Sequence, residues 1–297
     1  MGLKVGIVTP VLHMNPRFDP PGWEETGSVE DVVEVVKQAE RAGYDWVSCS
    51  EHMAIPEGAS TVRGGRYWDP FTTLGFLAAH TDRVRLLTHM IVLPYHHPVE
   101  LLKRLGTLDL VSHGRLLFGI GVGSLQPEFE LLGHRFDGRG DRADDAIRAI
   151  RACWGRRTPV YEGTHFRVSG FIVEPSGLDR RLEIWVGGRT RRSLRRAVEL
   201  GDAWMPFGLT LDELRAILED RRTRDMIGAR DDPLGLILAP EPPVDPMGDP
   251  EGTRKAFSSY VRAGATGLSL RFRHGSRTHY VEQMEAARLI ASQIEPS

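Results

Sequence analysis

Strand-like and helix-like segments alternate along the whole of this chain, and that rhythm limits the folds open to it more than any other feature. Short β-branched or apolar runs occur at Leu3–Thr9, Tyr44–Ser48, Val84–Val92, Arg115–Gly121, Leu182–Val186, Ala203–Pro206, Leu234–Ala239 and Gly267–Phe272. Between them lie stretches with helical spacing and helix punctuation. Ser28 is placed to cap a helix with Asp31 in its first turn, and Val32, Val33, Val35, Val36 and Ala39 supply its apolar face. Pro70 and Pro98 stand where helices begin. Glycine follows the helical stretch at Arg41-Ala42-Gly43, Leu200-Gly201 and Ala263-Gly264, as expected of residues that accept left-handed dihedrals cheaply.

Parallel strands joined by helices are buried on both faces, which the continuous apolar runs permit. Eight strand–helix pairs in 297 residues fit a (β/α)₈ TIM barrel, a fold of roughly 250 residues. A doubly wound open sheet is the alternative. The surplus length falls mainly after the fourth strand, between Ser124 and Arg181. That stretch holds a helix from Arg139 to Trp154 and an extended hairpin from Val160 to Val168. It is read as an insertion over the C-terminal face of one domain spanning 1–297, because long ordered connections often serve as lids.

Composition removes several function classes. The formal net charge is −2, so no basic face calls for nucleic acid. Two cysteines, Cys49 and Cys153, make no disulfide framework and point to a reducing compartment. The first residues lack the charged start and cleavage site of a signal peptide. No apolar run approaches the roughly 20 residues of a membrane helix. A cytoplasmic protein is expected.

In a barrel of this kind the chemistry sits where strands end. The second strand ends in Ser50-Glu51-His52, a carboxylate beside an imidazole suited to acid–base work near neutrality, or simply a polar loop start. The third gives Thr88-His89-Met90, with His96 and His97 beyond. The fourth gives Gly119-x-Gly121-x-Gly123, followed by Ser124 and Glu128. No helix follows closely enough for a dinucleotide fingerprint, and the glycines are read as keeping the mouth open for a flat ring. The fifth gives Gly187-Gly188-Arg189-Thr190 ahead of a helix, a pattern that suits a phosphate or a capped tight turn. His89, His96 and His97 match no zinc spacing, so no metal is expected. Neither G-x-S-x-G nor a phosphate-binding Gly-Lys-Ser/Thr loop occurs.

Taken in order, Ser50–His52, Leu93–Pro98, Leu105–Leu116, Phe118–Gly123, Glu128–Gly133, Arg139–Asp145, Ile184–Gly188 and Gly201–Pro206 cover most of Leu3 to Phe207. In these motifs the chain resembles the luciferase-like flavin and deazaflavin oxidoreductases, in the branch dependent on coenzyme F420. The resemblance implies a TIM-barrel enzyme that moves a hydride between F420 and a small organic substrate. Its implied catalytic residues are His52, as general acid/base, and Glu51. It implies a cofactor site of Glu51, Thr88, His89, Met90, Gly121, Gly123, Gly187, Gly188, Arg189 and Thr190, with a non-proline cis peptide at His89-Met90. His13, Trp68, His96 and Glu128 are candidate substrate contacts. An FMN-dependent monooxygenase fed with reduced flavin by a partner reductase is the alternative, and a non-catalytic cofactor-binding barrel a third. A homodimer is compatible with the family. Ser124 stands where the family often has tryptophan or an acidic residue, and Pro56 where some members have tryptophan, which leaves the substrate unnamed.

Overall fold

A computed structural model describes residues 3–16 and 22–295. Eight parallel strands close on themselves: β1 (Lys4–Val8), β2 (Trp46–Cys49), β3 (Arg85–Thr88), β4 (Leu116–Gly121), β5 (Ile184–Gly187), β6 (Ala203–Met205), β7 (Gly235–Leu238) and β8 (Gly267–Leu270). Each strand pairs with the next in the sequence, and β1 pairs with both β2 (Gly6 opposite Trp46) and β8 (Lys4 opposite Gly267). The closure excludes the open, doubly wound sheet, which would leave two strand edges unpaired. Eight principal helices lie between and around the strands: α1 (Val29–Ala42), α2 (Pro70–Ala78), α3 (Pro98–Val111), α4 (Arg139–Cys153), α5 (Arg191–Leu200), α6 (Leu211–Leu218), α7 (Pro250–Arg262) and α8 (Arg277–Ser292). The architecture is a (β/α)₈ barrel.

Local chemistry sets the element boundaries much as read. Ser28 and Asp31 form a reciprocal capping box on α1, which ends at Gly43 with φ 81°. Asp69 caps α2 ahead of Pro70. Gly264 after α7 also has positive φ, 96°. Gly201 departs from this pattern: it is extended, with φ −107°. Its glycine is demanded by packing instead, because a Cβ there would lie 2.8 Å from Val186 Cγ2 and 3.1 Å from the Ala197 carbonyl oxygen.

The barrel interior holds Trp46, Leu87, Leu117, Trp185, Ala203, Met205 and Ile237, with Met90 packed against them. Trp46 and Trp185 meet edge to face with centroids 5.0 Å apart. Gly6 makes this possible, since a Cβ on it would sit 2.1 Å from the Trp46 indole. The larger core lies between strands and helices, where Val32, Val35, Val36 and Ala39 of α1 are buried.

One expectation needs correction and another gains detail. Val84–Val92 is not one strand. A cis peptide joins His89 to Met90, and Ile91–Val92 continues beyond it along β4. Of the stretch 124–181, the short helix Gln126–Leu131 stands at the strand ends, where Glu128 reaches His52. α4 belongs to the outer ring, between α3 and α5. The hairpin (Tyr161–Glu162 with Arg167–Val168) packs on the flank, where Val168 and Val173 bury against Leu102 of α3 and Cys153 of α4. Asp145 of α4 anchors it by accepting from the Tyr161 hydroxyl and the backbone N–H groups of His165 and Phe166. Hydrophobic burial thus draws the hairpin sideways onto two helices, and only the short helix Gln126–Leu131 follows directly on the end of β4.

Candidate active site

His52 follows the end of β2, and its side chain is 17% exposed. Its Nδ1 lies 2.8 Å from Oε2 of Glu128, on the short helix that follows β4. Glu128 is buried, 1% exposed. The same Oε2 accepts the Tyr95 hydroxyl at 2.8 Å. Its Oε1 accepts the backbone N–H groups of Met53 at 2.6 Å and Ala54 at 3.2 Å. Burial works against this charge. Bonding to His52, the charge on His52, Tyr95 and the Ala54 N–H outweigh it, and the Glu128 carboxyl sits below its ordinary range. Burial, then the bond to Glu128 and its charge, push the Tyr95 hydroxyl the other way. A second ring flanks the imidazole: Tyr67 meets His52 edge to face at 4.6 Å.

Glu51, one residue earlier, turns inward. Its Oε2 accepts the Val92 N–H at 2.7 Å, and its Oε1 lies 2.9 Å from Nε2 of His96. Both residues are buried, 4% and 5% exposed. Glu51 and His96, read from sequence as a catalytic and a substrate residue, therefore bind each other and brace the end of β2 against the segment after β3. Their committed atoms withdraw them from the open side.

Three further groups gather at the ends of β1, β3 and β8. Arg271 Nη2 lies 2.9 Å from His13 Nε2. Burial, the Arg271 charge and then the nearby His89 and His52 hold His13 well below its ordinary value, so it stays neutral. Burial and Arg271 likewise depress His89 to about 4. His13 bridges to Tyr67 and stacks on its ring at 5.7 Å, so residues 12–14 and 66–68 pair beside His52. Trp68, half-buried, belongs to the same pairing. It packs on the core, and its backbone N–H reaches the Leu12 carbonyl.

The glycines separate into two kinds. Gly119 and Gly123 are structural: a Cβ on Gly119 would lie 1.9 Å from the Thr88 carbonyl oxygen, and Gly123 has φ 75° with Phe129 and Val92 crowding it. Gly121 has neither constraint, and its Cβ would make only an ordinary 3.6 Å contact with Met90. Gly187 would place a Cβ 3.0 Å from Met90 Cγ. Gly187 is thus close-packed against Met90, and only Gly121, beside the cis His89–Met90 bond, leaves its Cβ position uncrowded. Thr88 is withdrawn: it is buried, and its hydroxyl is spent on Gly119 N–H and carbonyl across to β4.

Beyond Gly187, the chain enters α5 through Gly188 with φ 116°, then exposed Arg189 and Thr190. Thr190 and Ser193 cap each other reciprocally, which uses the Thr190 oxygen. Free N–H groups at this helix start and the Arg189 cation fit an anion. Among the described residues no group of three or more His, Cys, Asp or Glu is arranged to hold a metal ion, and no helix is long and apolar enough to cross a membrane.

Sequence reading missed Arg271, Tyr67 and Tyr95. Arg271 was open to the strand-end rule, since it directly follows β8. Tyr95 lies inside the quoted Leu93–Pro98 motif. Nothing local marked Tyr67, which reaches the mouth from a loop.

Residues 9–284 match the sequence model of the luciferase-like monooxygenases. A Mycobacterium tuberculosis protein, named as a candidate coenzyme F420-dependent oxidoreductase, is 29% identical over 186 residues, covering 59% of this chain and 50% of its own. An FMNH2-dependent dimethylsulfone monooxygenase of Pseudomonas fluorescens is 26% identical over 151 residues, 50% of this chain and 41% of its own. A crystal structure of a monooxygenase from Streptomyces bottropensis shares the fold with a TM-score of 0.77, at 22% identity over 97% of this chain and 98% of that one.

Proposed function

The chain belongs to the luciferase-like monooxygenase family, and on that premise we propose that it is an F420-dependent oxidoreductase passing a hydride between the deazaflavin and a small organic substrate. Its class is that of the flavin- or F420-dependent oxidoreductases and monooxygenases, and the chain is an enzyme. The observation that carries the finer reading is the placement of His52. It is a braced, partly open imidazole past the end of β2, at the same end of the barrel as the uncrowded Gly121.

When bound, F420 supplies a hydride donor or acceptor. The residues that would hold such a group are Gly121 beside Met90 for a flat ring, and the start of α5 with Gly188 and Arg189 for a phosphate. His52 moves the proton that accompanies the hydride. His13 and His89, held neutral, add no cation to the mouth. Residues 12–14 and 66–68, paired beside His52, would limit water there once a cofactor is bound. The F420 reading draws support from the relative that is 29% identical.

A second reading, an FMN-dependent monooxygenase taking reduced flavin from a separate reductase, is favoured by the dimethylsulfone monooxygenase relative. Titration of the purified protein with F420 and with FMN, each oxidised and reduced, separates the two. Saturable F420 binding with weak FMN binding is expected. Tight FMN binding without F420 affinity would overturn the leading reading, and binding of neither would remove both.

A further inference from the structure

Four donors converge on one buried carboxylate. Glu128 faces His52 Nδ1 and the Tyr95 hydroxyl with one oxygen, and the N–H groups of Met53 and Ala54 with the other. An ionised carboxylate accepts about four hydrogen bonds and donates none. The two backbone groups can only donate, and Tyr95 keeps its proton. If Nδ1 carried a bare lone pair, it would face the carboxylate at 2.8 Å with nothing between them. Leaving such an acceptor pair unbridged in a buried site costs the full desolvation of both groups.

We propose that Glu128 is a positioning residue that holds His52 with its proton on Nδ1 and so confines proton exchange to Nε2. The role rests on the reading of His52 as the proton carrier, and it displaces the sequence-based expectation that Glu128 touches substrate. Glu128 braces the ring from behind, while Tyr67 limits its rotation from the edge at 4.6 Å. Ring orientation, tautomer and the backbone of residues 53–54 are fixed by one side chain that comes from 74 to 76 residues further along the chain.

The substitution E128Q keeps the size but replaces two acceptor sites with two donors. An amide NH2 must then confront either His52 and Tyr95 or Met53 and Ala54. Facing His52, it makes Nδ1 an acceptor and moves the proton to Nε2. Wrong-tautomer substitutions of this kind cost up to about 10⁴-fold in turnover in a serine protease triad.

The decisive experiment uses the cofactor-free full chain labelled with ¹⁵N-histidine. Long-range ¹H–¹⁵N spectra are recorded at pH 9, above the ordinary histidine range, with H52Q used only to assign the His52 signals. The wild type is expected to show Nδ1–H, E128Q a shift toward Nε2–H, and E128D, which keeps the charge, a return toward Nδ1–H. Turnover of E128Q is expected to fall about 10²- to 10⁴-fold with cofactor Kd changed less than about threefold. A wild-type Nε2–H tautomer, or an E128Q protein with wild-type tautomer and turnover, overturns the proposal. Should E128Q fail to fold, the wild-type spectrum alone decides. Because the spectra need no cofactor, they stand or fall separately from the F420 reading.

Discussion

At the scale of single residues the mouth divides its polar groups by what each is asked to hold. His52 is partly open, while Glu51, His96 and Glu128 are sealed behind it. Substituting His52→Ala should therefore lower kcat by about 10²- to 10⁴-fold while cofactor Kd, from fluorescence titration, moves little. Equal losses in both would make His52 a binding group. His89 yields a stability prediction. Its pKa of about 4 in the folded chain lies below the ordinary histidine value, so between about pH 6.5 and 4 the unfolded chain binds more protons. Stability from this group is complete above about pH 6.5 and is lost as pH falls toward 4, by up to roughly 3 kcal/mol. Urea midpoints should decline over that window, and His89→Gln should flatten the decline; an unchanged slope would remove the assignment. The sequence placed these residues at strand ends but not their orientation. Glu51 and Glu128 are chemically identical, and what distinguishes them lies 41 to 76 residues away: Val92 and His96 for one, His52 and Met53 for the other.

At the scale of elements, side-chain caps and anchors carry separable contributions. Ser28→Ala removes one half of the α1 capping box and should cost about 1 kcal/mol, read by thermal melting. Asp145→Ala frees three donors of the flank hairpin at once. Hydrogen exchange across 161–168 should then accelerate by an order of magnitude or more, while cofactor affinity is retained, since the hairpin's buried contacts are with Leu102 of α3 and Cys153 of α4. Loss of cofactor binding in that variant would return the hairpin to the mouth. Caps and helix starts were legible because their signals are local: Ser28 with Asp31, Asp69 before Pro70. The hairpin's own extended pairing was legible for the same reason. Its destination was not, because it is decided by where Val168 and Val173 find apolar partners, on α3 and α4.

At the scale of the whole molecule, closure of the barrel depends on what its narrow interior can hold. Trp46 fits beside Gly6 and against Trp185, with Gly267 also close, where a Cβ would stand 3.0 Å from the indole. Gly6→Ala should therefore destabilise by roughly 1–3 kcal/mol or more through overpacking. Combining it with Trp46→Leu should cost less than the sum of the two separate changes, which thermal denaturation of the three variants can check. The alternation of strands and helices made the barrel legible, yet it could not say which apolar residues point inward, because strands covered on both faces show no alternation. The inward commitment of both carboxylates also bears on which nearby positions are free to vary. Arg63 reaches Ser124 beside the Glu128 helix, and neither side chain holds Glu51 or Glu128 in place. Substitution at Arg63 or Ser124 should therefore leave the mounting of the His52 imidazole intact, so that pair and the mounting can change independently.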